Sequence, residues 1–137
     1  MHKVRRLAPE RRWSELVVAL TDDDGIRSVN ARHLGSAEVT DVISFCYDPV
    51  PGEQAGLTGE IVINAQRARV RGARSGRWDA TRELALYVAH GCDHLADERD
   101  SDVAERKRMR RRELRWLREA GERGLLDGLV QGDCRLT

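Results

Sequence analysis

His90 and His94 stand four residues apart in the run His90-Gly91-Cys92-Asp93-His94-Leu95-Ala96-Asp97-Glu98-Arg99-Asp100, and this spacing predicts a helix through the pair. A helix advances about 100° per residue, so the two imidazoles lie about 40° apart on one face, a turn apart. Two imidazoles so placed can grip one metal ion. Asp100, six residues beyond His94, is expected just past the helix end, where it can fold back as a third ligand. Three protein ligands leave a fourth position open for water, the pattern of a catalytic rather than a structural zinc site. The chain has only four histidines and two fall here, which favours the metal. Spacing alone still leaves open two ordinary surface or half-buried histidines.

The neighbours refine this. Cys92 lies about 200° around the helix from His90 and is expected to be a small buried residue rather than a ligand. Asp93 flanks the His90 face. It is read as a solvated helix carboxylate, with coordination, orientation of a histidine or proton transfer from metal-bound water as the alternatives. Gly91 occupies the place of the glutamate in H-E-x-x-H, so that metalloprotease signature is absent.

The rest of the chain supplies a scaffold for such a helix. At 137 residues, 40% hydrophobic and 34% charged, it is expected to be a single soluble domain over residues 1–137. No stretch is long enough to span a membrane, and no apolar segment follows the basic start, so no signal peptide is expected. Three scattered cysteines (Cys46, Cys92, Cys134) point to reduced thiols and a cytoplasmic location. Strands are expected over 15–21, 39–45 and 59–64, with a Pro- and Gly-containing loop over 48–58. A helix capped among Thr21, Asp22, Asp23 and Asp24 should end at Gly35. A short Ala/Arg helix should run to about residue 72. The metal helix, capped by Asp79, carries Leu84, Val88 and Leu95 on one face and Glu83, Tyr87, His90 and His94 on another. The last helix spans about 102–120 with Gly121 as its stop, and the tail after about 121 is unassigned. The expected class is α/β (α+β): a small mixed sheet of three to four strands with four to five helices, the metal site on a helix and the turn after it.

Three blocks in order carry a family resemblance. Asn30 precedes Thr40-Asp41-Val42-Ile43-Ser44-Phe45, which is similar to T-D-V-[LI]-S-F. Gly59-Glu60-Ile61-Val62-Ile63 is similar to G-[DE]-I-x-I. His90-Gly91-x-x-His94-Leu95 with Asp100 is similar to H-G-x-L-H-L-x-G-[YF]-D-[HD]. With Met109 and Glu113 also in step, residues 15–120 resemble the YbeY family of endoribonucleases, described as rRNA maturation factors. The resemblance implies one zinc per chain on His90, His94 and Asp100, and hydrolysis of rRNA ends during maturation and small-subunit quality control. It implies partners on the small ribosomal subunit, including a ribosomal protein and an assembly GTPase, with neither membrane nor DNA. It also implies that Thr40, Asp41 and Ser44 border the cleft. The chain departs from the pattern at His33-Leu34, where the family has an aromatic-arginine pair, at Asp93, and at Asp97-Glu98-Arg99.

Chemistry and charge agree with an RNA substrate. A three-ligand zinc lowers the pKa of its water to about 7, which allows attack on a phosphodiester. Arg67, Arg69, Arg71, Arg74 and Arg77 precede the metal helix, and Arg106, Lys107, Arg108, Arg110, Arg111, Arg112, Arg115 and Arg118 crowd the last one. A solvated face is the ordinary fate of such a run; its near-continuous azimuths here favour a nucleic-acid or ribosome contact. Trp13, Trp78 and Trp116 are expected to pack rather than stack on bases. Two other readings stand beside the zinc-dependent, single-strand-specific endoribonuclease. One is a ribosome-assembly binding factor with little or no hydrolysis. The other is a metal-dependent hydrolase of a non-RNA substrate.

Overall fold

Residues 57–64 form the middle of the sheet, hydrogen-bonded on both sides. The computed structural model describes residues 9–52, 56–76, 78–96 and 101–130. Strand β1 (Trp13–Thr21) is followed by helix α1 (Asp23–Leu34), β2 (Val42–Tyr47), β3 (Leu57–Asn64), α2 (Ala65–Arg74), α3 (Ala80–Leu95) and α4 (Val103–Glu122). The sheet order is β1-β3-β2, with β1 parallel and β2 antiparallel to β3. Consecutive burial of Ile61, Val62, Ile63 and Asn64 follows from this central place, since both faces of β3 are covered. Three strands and four helices among the described residues give the expected mixed α+β fold.

Local chemistry sets the helix starts. The Asp22 carboxylate accepts the Gly25 N–H at 2.8 Å and that of Asp79 accepts the Arg82 N–H at 2.9 Å, each satisfying a donor the helix cannot. Asp102 and Glu105 form a reciprocal capping box on α4. Asn64 ends β3 and caps α2 at once, accepting the Arg67 N–H at 3.0 Å.

Several expected boundaries move by about two or three residues, two of them for a visible reason. The second strand begins at Val42, not residue 39. The Val39 and Thr40 carbonyls instead accept from Arg67 Nη1 (2.8 Å) and Asn64 Nδ2 (3.3 Å), so side chains from the β3–α2 junction replace a ladder. Helix α4 runs through Gly121 to Glu122. Gly124, at φ +67°, takes the left-handed position that ends it, and the Leu125 N–H returns to the Ala120 carbonyl at 2.9 Å. Beyond it, Leu126 and Val130 pack against the core, so part of the unassigned tail belongs to the fold.

Helix α3 lies against β2, β3, α2 and α4. Leu84, Tyr87, Cys92 and Leu95 join Trp13, Ile61, Ile63 and Ala68 in one cluster, while Ala85, Leu86 and Ala89 join Leu117 of α4 in another. Trp13 is inside the first, and Trp78 and Trp116 pack at the edge of the second, as expected of packing residues. Gly91 is where α3 comes closest to the sheet: a Cβ there would stand 2.5 Å from Ile61 Cγ2. No helix among the described residues is long and apolar enough to cross a membrane.

Candidate metal centre

Helix α3 brings the imidazoles of His90 and His94 together as the spacing predicts. Their Nε2 atoms lie 3.0 Å apart, with ring planes inclined at 85°. Behind His90, its Nδ1 meets Glu113 Oε1 at 2.6 Å. The Glu113 side chain is 4% exposed and that of His90 33%. A carboxylate accepts and cannot donate, so it holds the proton on Nδ1 and leaves the Nε2 lone pair facing His94. An imidazole oriented by a carboxylate on its far nitrogen is the arrangement that metal-ligating histidines use. The donor set and the convergence of two Nε2 atoms therefore fit a divalent cation.

Glu113 is the site residue whose role sequence reasoning missed. The signal was available: Met109, Glu113 and Leu117 repeat at four-residue spacing, and these three are the buried residues of α4. An acid inside that stripe needs a partner, and His90 supplies it. The expected third ligand, Asp100, lies outside the described residues. Among the described residues no cluster of three or more His, Cys, Asp or Glu side chains is arranged to hold a metal.

Asp93 is not the solvated carboxylate expected. Its side chain is 0% exposed and its Oδ1 meets Arg112 Nε at 2.7 Å. The sequence gives no hint of this, because the partner is on another helix. Arg112 sits 5.9 Å from the Trp116 ring centre, where the guanidinium lies over the indole. Adjacent residues of α4 thus clasp two groups of α3: Arg112 holds Asp93 and Glu113 holds His90. Cys92 is buried, as expected, and burial pushes its thiol up to about 11.

The three residues expected to border the cleft separate into two openings. Thr40 and Ser44 line a groove with His94, Asn30 and Leu34, about 530 Å³ in volume. Ser44 Oγ also donates to the Gly91 carbonyl at 3.0 Å, tying β2 to the metal helix. Asp41 faces a second cleft of about 350 Å³ beside His90, lined also by Arg71, Tyr87, Met109 and Glu113. Its carboxylate is gripped by Arg67 Nε at 3.1 Å and Arg71 Nη1 at 2.7 Å. Burial, with the charges of Asp41 and Glu83 nearby, raises the Tyr87 phenol well above its ordinary value. The basic run on α4 divides similarly. Arg112 is turned inward, while Arg106, Lys107, Arg108, Arg110, Arg111, Arg115 and Arg118 are exposed. Arg77 lies outside the described residues.

Comparison with known proteins shows the family. A family model described as Endoribonuclease YbeY matches residues 2–121. A protein of that name from Anaeromyxobacter sp. (strain Fw109-5) is 35% identical over 108 residues, covering 79% of this chain and 55% of the relative. Its namesake from Desulforamulus reducens is 34% identical over 113 residues, covering 79% of this chain and 73% of that one. That from Myxococcus xanthus is 32% identical over 123 residues, with 88% and 40% covered. The chain thus spans about half the length of some relatives and nearly three quarters of others.

Proposed function

The chain belongs to the YbeY endoribonuclease family, and from that premise we propose that it is a zinc-dependent endoribonuclease cleaving single-stranded RNA in rRNA maturation and small-subunit quality control. The observation that carries this reading is the pair of Nε2 atoms 3.0 Å apart, with Glu113 fixing the tautomer of His90. His90 and His94, with Asp100 as the expected third ligand, would hold one zinc per chain. When bound, the ion supplies Lewis-acid activation of water and of a phosphodiester oxygen.

The chain's own residues have separable tasks. Glu113 keeps the His90 proton at Nδ1. Asp93 acts as a brace through Arg112 rather than as a proton acceptor, since it is closed off from solvent. Thr40 and Ser44 line the groove that receives RNA on the His94 side, and Asp41 orders the arginines on the other. The setting is the cytoplasm, with the small ribosomal subunit, a ribosomal protein and an assembly GTPase as partners.

One observation favours a second reading, a binding factor with weak hydrolysis. Leu34, at the position of the family arginine, is 60% exposed in the groove beside His94 and offers no charge to a phosphate. Incubating the zinc-loaded protein and its His90→Ala variant with single-stranded RNA separates the two. Multiple-turnover cleavage lost in the variant supports the enzyme. Tight, salt-sensitive binding to small subunits without turnover supports the factor. Cleavage undiminished in His90→Ala overturns the metal mechanism.

A further inference from the structure

The two clefts flanking the histidine pair differ in the charged groups that line them. The His94 groove has one carboxylate, Glu38, and no arginine or lysine among its described lining residues. The His90 cleft is edged by Arg71, Arg106 and Arg110, all exposed. Its carboxylates lie deeper: Asp41 and Glu83 are half-buried and Glu113 is buried. Asp41 is engaged by Arg67 and Arg71, Glu113 by His90, and Glu83 by the Tyr87 hydroxyl. A solute arriving from water therefore meets guanidinium groups first. Val42 lines both openings, so the two lie side by side.

We propose that the His90 cleft is a phosphate subsite, in which Arg71 and Arg110 hold an RNA backbone phosphate flanking the one at the histidine pair. This rests on the endoribonuclease reading. Arg71 is already oriented by Asp41 at 2.7 Å and stands 3.4 Å from the Tyr87 hydroxyl, so little side-chain order is lost when it takes a phosphate. A planar guanidinium presents a fork of N–H donors that matches two phosphate oxygens. Arg110 is 48% exposed, and its contact with Glu113 is long at 3.9 Å, which leaves it able to turn toward a ligand. The subsite supplies on the His90 side the charge that Leu34 does not offer on the His94 side.

The test is binding of a hydrolysis-resistant phosphorothioate RNA of about ten nucleotides to zinc-loaded protein, followed by fluorescence anisotropy across a salt series. Arg71→Gln/Arg110→Gln should weaken binding roughly tenfold and flatten the slope of log K against log salt by about one. Arg111→Gln/Arg115→Gln removes the same charge from exposed positions of α4 outside the cleft, and should cost less than about threefold. Equal losses in the two pairs, or a cleft pair that binds like wild type, overturn the subsite. Should the cleft pair misfold, Arg110→Gln alone, which leaves the Asp41–Arg71 pair intact, decides by the same comparison. Cleavage of unmodified RNA by the wild type is read in parallel. A wild type that binds through the cleft but cleaves nothing overturns the nuclease reading and upholds the subsite. A wild type that cleaves while the cleft pair binds normally does the reverse.

Discussion

Glu113 illustrates how much a single side chain depends on its partner. On a helix crowded with arginines it reads as a counter-charge, yet its carboxylate is buried against His90 Nδ1 at 2.6 Å. Glu113→Gln keeps the shape and can still accept a hydrogen bond, but removes the charge. Zinc affinity should fall roughly 10- to 100-fold, measured by competition with a chelator, with the fold unchanged. An unaltered affinity would remove Glu113 from the site. Cys92 gives a second test. Its thiol is pushed up to about 11, chiefly by burial, so the native protein holds a proton there that the unfolded chain loses from about 9 upward. Stability from this group is complete below that lower value and is lost as pH rises toward the upper one. Denaturant midpoints should therefore fall in that window, and less so in Cys92→Ala. At this scale the sequence was legible where chemistry depends on local spacing, as for His90 and His94. It was not legible for Asp93, whose partner Arg112 lies on the next helix.

Helices α3 and α4 meet through those two polar clasps, and each carries a prediction. Arg112→Ala leaves the Asp93 carboxylate buried without its guanidinium, which should cost about 3–5 kcal/mol in urea unfolding. Adding Asp93→Leu should recover much of it, because an apolar pair tolerates the same burial. If Arg112→Ala costs nothing, the clasp is not structural. Gly91→Ala should destabilise by about 1–3 kcal/mol, since the new methyl would press on Ile61 Cγ2 at 2.5 Å. A neutral result there would mean that α3 sits farther from β3. Two helix starts were readable because Asp22 and Asp79 announce themselves as caps. The start of β2 was not, because long-range side-chain donors from Asn64 and Arg67 take the carbonyls of residues 39 and 40. Helix α4 ends at Glu122 rather than about residue 120 because Gly124, not Gly121, adopts positive φ.

The whole molecule joins a parallel and an antiparallel pairing on one central strand, and no residue pattern in β1 or β2 announces which edge each takes. What the sequence did carry was the sequence order of three motif blocks, which the fold brings to one region: β2 supplies Ser44 and Val42, β3 supports Gly91, and α3 presents the histidines. Two clefts, only one of them edged by arginines, lie beside that pair and emerge only in three dimensions. The central claim is that His90 and His94 hold a zinc ion needed for RNA cleavage. The most direct measurement is elemental analysis of purified protein beside its His94→Ala variant, with cleavage of single-stranded RNA assayed on the same samples. One zinc per chain in the wild type, with zinc and cleavage lost together in the variant, is the predicted result. A variant that cleaves as well as the wild type, or a wild type that cleaves without metal, would contradict it.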